Sequence, residues 1–163
     1  MCSTATHSVE FLQINDLDRF KHQIIKALDS INERSGNRYP APVLYENLRR
    51  RVIERGFFSE LWLGIDRGKI ESGQDVTNSI CGLLTIDQFE DEMGKPVCMI
   101  SRAWCEPGMA ARLWPVAKKL IWDWAKSRNC VRIQCQSERD SAWARWLKSD
   151  GFQIKETILE VEL

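Results

Sequence analysis

The sequence predicts a mixed α/β domain, with a mostly antiparallel sheet, one parallel central pair and helices on both faces. Three observations predict it. Short alternating or continuously apolar segments are interspersed with segments whose apolar residues recur every three or four positions. The strand candidates 97–104 and 131–136 are separated by one long helical pattern, and a strand–helix–strand crossover of that kind joins parallel strands with a right-handed connection. Before it, strand candidates follow one another through polar turns, the antiparallel arrangement.

Taken in order, Val9, Phe11 and then Leu12 and Ile14 mark a first strand. Asn15 or Asp16 caps a helix whose buried stripe is Leu17, Phe20, Ile24, Leu28 and Ile31, ended by the Ser35-Gly36-Asn37 run. Pro40 and Pro42 open a second helix with Leu44, Leu48 and Val52 inward and Gly56 at its close. The same helix carries Arg49, Arg50, Arg51 and Arg55. These read either as a phosphate-binding face or as a solvated surface balanced by Glu46 and Glu54, and the solvated surface is the expectation. Residues 61–65 and 80–86 read as strands joined by a polar loop over 66–78, and 89–95 (FEDEMGK) as an acidic turn. The 97–104 strand is nearly all apolar and therefore central. After Glu106-Pro107-Gly108 a helix places Leu113, Val116, Ala117, Leu120, Ile121 and Trp124 on one face. Residues 131–136 form a strand. Ser137 to Asp140 offers caps for a short helix through Trp143, Trp146 and Leu147 that Gly151 ends, and 152–163 supplies one or two final strands. The predicted order is β-α-α-β-β-β-α-β-α-β, read as a single domain over 1–163 with a flexible stretch at 1–8.

Bulk properties narrow the function. Lys plus Arg and Asp plus Glu number 23 each, so no long-range field favours nucleic acid or an anionic membrane. No apolar run is long enough to span a bilayer, and the start of the chain lacks the pattern of a secretory signal. The six cysteines, Cys2, Cys81, Cys98, Cys105, Cys130 and Cys135, form no CxxC pair and read as buried free thiols of a cytoplasmic protein. With only His7 and His22 as histidines, neither at ligand spacing from a cysteine, no metal site is expected.

Read with particular residues, the element order resembles the GNAT superfamily of acyl-CoA-dependent N-acyltransferases. The strand 97–104 runs into a glycine-bearing turn. A long amphipathic helix and the strand 131–136 follow. The run Lys148-Ser149-Asp150-Gly151-Phe152 is similar to the family's helix-to-strand "GF" junction. The stretch 144–148 also resembles GNAT-like proteins carried by bacteriophages. The resemblance implies that the parallel pair splays to admit a pantetheine arm along an unpaired strand edge. A bulge in 97–104 would open it. It implies acetyl-CoA as co-substrate, an amine as acceptor, and a cofactor-binding run of Arg102, Ala103, Trp104, Cys105, Gly108, Met109, Ala110, Ala111 and Arg112. Backbone N–H groups at the start of the helix would meet the pyrophosphate there.

The sequence departs from the family at four positions. The turn reads Cys105-Glu106-Pro107-Gly108-Met109-Ala110, with Cys105 where the family has Gln or Arg and an acid, Glu106, where phosphates arrive. Pro115 falls inside the helix if it starts at Met109, and at its first turn if it starts at Trp114; only the earlier start keeps the signature in place. Leu147 stands where the family often has a tyrosine to protonate the leaving thiolate. Glu138, with Ser137 to orient it, is the candidate base for the amine, although both also suit a helix cap. Ser101 and Cys98 read as packing residues. Glu90, Asp91 and Glu92 read as a solvated turn or as an attractor for a cationic substrate. The alternative function is a GNAT-fold binding or structural protein without catalysis, of phage or prophage origin. Five of the seven tryptophans, Trp114, Trp122, Trp124, Trp143 and Trp146, fall on the last two helices; they read as cover for one sheet face or as a surface for a second copy or protein partner.

Overall fold

The structure, a computed structural model, describes residues 8–34, 36, 39–135 and 142–153, the last stretch by backbone alone at Ala142, Trp143, Ala144 and Trp146. Its elements are β1 (Val9–Ile14), α1 (Lys21–Arg34), α2 (Ala41–Arg55), β2 (Ser59–Asp66), α3 (Arg67–Glu71), β3 (Ile80–Glu90), β4 (Pro96–Cys105), α4 (Ala110–Ser127), β5 (Ile133–Cys135) and α5 (Ala142–Ser149). The strands lie in the spatial order β1-β2-β3-β4-β5. The first four pair antiparallel, and β4 and β5 pair parallel, joined by the α4 crossover. The mixed, mostly antiparallel sheet with helices on both faces is the predicted class. The final strand expected over 152–163 lies outside the described residues beyond Gln153.

Each face of the sheet has its own core. On one side α1 and α2 bury Leu17, Phe20, Ile24, Leu28, Leu44, Tyr45, Leu48 and Val52 against Leu61, Leu63, Ile65 and Leu83. On the other, α4 and α5 bury Trp114, Ala117, Ile121, Trp124 and Leu147 against Leu84, Ile86, Cys98 and Ile100. Both helix stripes have the three- and four-residue spacing of the sequence, and alternate strand residues serve opposite cores. Trp114 and Trp124 are core residues, and Trp122 packs edge-on against Phe152. The side chains of Trp143 and Trp146 lie outside the described residues.

One prediction is corrected, and the acidic turn gains a structure. The polar run after β2 is no plain loop. Asp66 caps α3, its carboxylate accepting from the Gly68 N–H at 3.0 Å, and a 3₁₀ turn over Thr77–Ser79 precedes β3. The acidic turn lies at the end of the sheet opposite the C-terminal end of β4. Asp91 organises it, accepting from the N–H groups of Met93 and Lys95 at 2.9 Å each and from Arg132 at 2.9 Å. It ties β3, β4 and the approach to β5 together.

The seating of α4 depends on two glycines. Gly64 of β2 and Gly82 of β3 are cross-strand neighbours beneath Leu113. A Cβ on Gly64 would stand 2.9 Å from Leu113 Cδ2, and one on Gly82 would stand 3.1 Å from Leu113 Cδ1. The missing side chains let the first turns of the helix lie directly on the sheet. Gly151, at φ +92°, ends α5 with the Phe152 N–H bonded to the Leu147 carbonyl, as a left-handed C-terminal cap requires.

Candidate functional site

The central feature of the site is a bulge in β4. Ile100 pairs with Ile86 and Arg102 pairs with Thr85, which leaves Ser101 as the extra residue. Both β4 residues of such a bulge stand opposite one partner, so Ser101 and Arg102 share a face with Thr85. The Ser101 and Thr85 hydroxyls are 2.7 Å apart. Among the described residues, parallel pairing with β5 covers Cys98, Met99 and Ile100, where the described part of β5 ends at Cys135, and pairing with β3 runs on to Cys105. From Ser101 to Cys105 the β5-side edge of β4 therefore has no strand partner among the described residues. A bulge is what the resemblance implied, and it falls in the strand that was named.

The unpaired edge leads into a tight turn. The Glu106 N–H bonds to the Cys81 carbonyl at 2.9 Å, and the Met109 N–H closes on the Glu106 carbonyl at 3.1 Å. Pro107 and Gly108 occupy the middle of this turn, with Gly108 at φ +81°, the residue pair a type II turn favours. The helix then begins at Ala110, with Met109 as its N-cap. Thus Gly108 and Ala110 hold the signature positions, and Pro115 lies inside the helix. As the sixth helical residue it lacks the N–H that would reach the Ala111 carbonyl. The N–H groups of Ala110 and Ala111 make no hydrogen bond among the described residues. They project from the positive end of an 18-residue helix.

Charges around this turn are paired. The Lys69 ammonium, on α3, lies 3.1 Å from the Glu106 carboxylate. The unexpected acid thus carries its own counter-ion. The Arg112 guanidinium holds Asp66 through two hydrogen bonds, of 3.1 and 3.3 Å. Burial raises the Asp66 pKa, but the Arg112 fork and the Gly68 N–H outweigh it, and the net shift is downward. Burial also raises the Cys105 thiol above its ordinary value, and it holds the Cys81 thiol up at about 12. Burial thus disfavours the Cys105 thiolate.

The α1/α2 face beside the bulge carries a polar cluster that sequence reasoning missed. Asp87, only 4 % exposed, accepts a hydrogen bond from Ser59 and lies 3.4 Å from Arg51 and 3.9 Å from Arg55. Arg55 also donates to the Gln88 carbonyl. The four α2 arginines thus divide: Arg49 pairs with Asp18, Arg50 with Asn47, and Arg51 and Arg55 face Asp87. Arg102 is half-buried beside them and interacts electrostatically with Arg51 and Asp87. A polar Asp87 in an otherwise apolar strand was the available signal.

Of the expected residues, the fold brings together Arg102, Ala103, Trp104 and Cys105 on the open edge and Gly108, Met109, Ala110, Ala111 and Arg112 on the turn and first helical turn. Ser137 and Glu138 lie outside the described residues. Leu147 is 3 % exposed in the α4/α5 core, and its hydrocarbon side chain donates no proton. Among the described residues no group of His, Cys, Asp or Glu is arranged to hold a metal ion, and no helix is long and apolar enough to cross a membrane.

No protein-family model and no curated protein matches the sequence. Solved structures match the fold over nearly its whole length. A protein from Clostridium acetobutylicum, described as a predicted acetyltransferase and solved with acetyl-CoA, superposes with a TM-score of 0.68 at 15 % identity, over 94 % of this chain and 96 % of that one. A ribosomal-protein-alanine N-acetyltransferase from Brucella melitensis gives 0.63 at 13 % identity, over 96 % and 99 %. A protein described as a transcriptional regulator from Bacillus halodurans gives 0.65 at 20 % identity, over 95 % and 99 %. At these identities the likeness concerns architecture: the chain has the α/β fold of the GNAT-type acetyltransferases.

Proposed function

We propose that the protein is an N-acetyltransferase that passes an acetyl group from acetyl-CoA to an amine. One observation carries the reading. Among the described residues the β4 edge has no strand partner on its β5 side from Ser101 onward, and it leads to the N–H groups of Ala110 and Ala111, which make no hydrogen bond there. Amides of a pantetheine arm pair with such an edge, and a pyrophosphate suits such a helix start. On this reading the backbone of Arg102, Ala103, Trp104 and Cys105 receives the arm. Gly108, Met109, Ala110 and Ala111 receive the phosphates. Arg112, locked by Asp66, holds the turn in place and adds positive charge beside it. The acetyl-CoA held by the Clostridium acetobutylicum protein of the same fold supports the reading.

In the reaction the amine nitrogen forms a bond to the thioester carbon and the carbon–sulfur bond breaks. The amine proton passes to Glu138, which Ser137 orients. The sulfur leaves as a thiolate and takes a proton from solvent, which its pKa of about 8.5 allows without an acid at Leu147. The test is a thermal shift with acetyl-CoA, followed by CoA thiol release with a panel of amines. Saturation at about 100 times the dissociation constant stabilises the native state by about 2.7 kcal/mol. The absence of any shift would rule the reading out.

A second reading, a binding protein that has kept the fold without the chemistry, is favoured by Leu147 and by the internal pairing of Glu106 and Arg112. It predicts no thiol release with any amine.

A further inference from the structure

Arg102 stands apart from the arginines that face Asp87. Arg51 and Arg55 share the Asp87 carboxylate, and Arg55 also has the Gln88 carbonyl. Arg102 has no hydrogen bond or ion pair among the described residues, and its Nε–H is buried without an acceptor. A guanidinium partly withdrawn from water with no counter-ion carries a desolvation cost. Its burial and the neighbouring Arg51 both disfavour its charge. Around Asp87, three guanidinium groups are served by one carboxylate. The place matters because Arg102 is the second residue of the β4 bulge, two positions past Ile100, the last β4 residue paired with the described part of β5, where the candidate cleft would begin. Its planar fork, Nε–H beside Nη–H, matches the two oxygens of a carboxylate.

We propose that Arg102 is a substrate-selecting residue that binds a carboxylate carried by a reactant at the start of the candidate cleft. Resting on the transferase reading, this names the substrate class. The carboxylate enters either on the acceptor, as in an amino acid, or on the acyl group, as in succinyl-CoA. The excess positive charge from Arg51 and Arg55 draws such a group in and disfavours cationic amines.

Three arms test it. In the first, CoA release with acetyl-CoA is compared for amino acids and for their amides. In the second, succinyl-CoA is compared with acetyl-CoA on one neutral amine. One comparison should favour the carboxylate by about 10- to 100-fold in kcat/KM, the range of a charged hydrogen-bonded pair. Which one does so identifies the source. Arg102→Gln should abolish the preference mainly through KM, and Arg102→Lys should keep part of it. No preference in either comparison, or one that survives Arg102→Gln, overturns the proposal. The third arm needs no catalysis: sodium succinate, against sodium chloride at equal ionic strength, should raise the melting temperature of the wild type and not of Arg102→Gln. Equal shifts overturn the proposal. A failure of acetyl-CoA to bind would sink the transferase reading and leave this arm to decide the carboxylate site.

Discussion

Arg128 and Arg102 both bring a guanidinium into the protein, on opposite faces of the sheet, with opposite outcomes. Arg128 closes the C-terminal end of α4. It is paired with Glu60, lies over the Phe57 ring at 3.6 Å and the Trp124 ring at 4.2 Å, and has a side chain 8 % exposed. Its Nε also lacks a hydrogen bond, but its charge has a carboxylate and two π faces beside it. Trp62 donates to the second Glu60 oxygen at 3.1 Å, so the carboxylate is satisfied too. Arg102 has none of this. The contrast separates a charge used to pin a helix to a strand from one left open for something outside the chain.

The largest effect should come from breaking the matched pair. Glu60→Ala strands the Arg128 charge and should cost about 3–5 kcal/mol in urea denaturation, the usual loss when one partner of a buried pair is removed. A loss below about 1 kcal/mol would mean that the rings alone hold Arg128, since exposed or redundant pairs cost that little, and the contrast would narrow.

Next comes Asp87→Asn, which removes the one carboxylate facing Arg51 and Arg55 and weakens the Ser59 bond. It should cost about 2 kcal/mol, as for a hydrogen bond to a charged group, while succinate binding tightens. Unchanged succinate binding would disconnect Asp87 from Arg102.

Arg102→Met should behave oppositely to a change at Arg128. It removes an uncompensated charge and keeps the volume, so stability should stay level or rise by about 1 kcal/mol. A clear loss would show that Arg102 already has a partner in the folded chain.

The smallest effect sharpens the comparison with a partly exposed pair. The Asp66 carboxyl lies below its ordinary range in the folded protein, so its pairing with Arg112 stabilises the native state above the unfolded value. That contribution disappears as pH falls through the lower folded value. Because the Arg112 side chain is 39 % exposed, solvent screening holds this to under about 1 kcal/mol. Acid titration of stability in the wild type and Asp66→Asn should converge below the carboxylate range. Divergence there would assign the effect to the lost Gly68 cap.

Much of this was legible in the residues. Leu113, Ala117, Ile121 and Trp124 announced the face of α4, and Gly108 and Gly151 marked turns where a positive φ was needed. The bulge in β4 was expected through the resemblance. The charge partners were not legible. Glu106 and Lys69 are 37 positions apart, and Arg112 and Asp66 are 46. Nothing local distinguishes Arg51 and Arg55 from Arg49 and Arg50 until α2 is laid against β3. The proposed base and its helper, Glu138 and Ser137, remain a matter of sequence alone.

What the sequence by itself determined is the fold class, while the position of the candidate cleft came from the resemblance. The fold class follows from periodicity, because a helix repeats every 3.6 residues and a strand every two, and from turn residues whose backbone angles are local. The tertiary structure decided where the bulge falls, that Glu106 is neutralised, and that Arg102 alone among the arginines around Asp87 is unmatched. Those outcomes depend on which side chains meet across strands and between layers, and burial and electrostatic matching arise only once those layers are packed together.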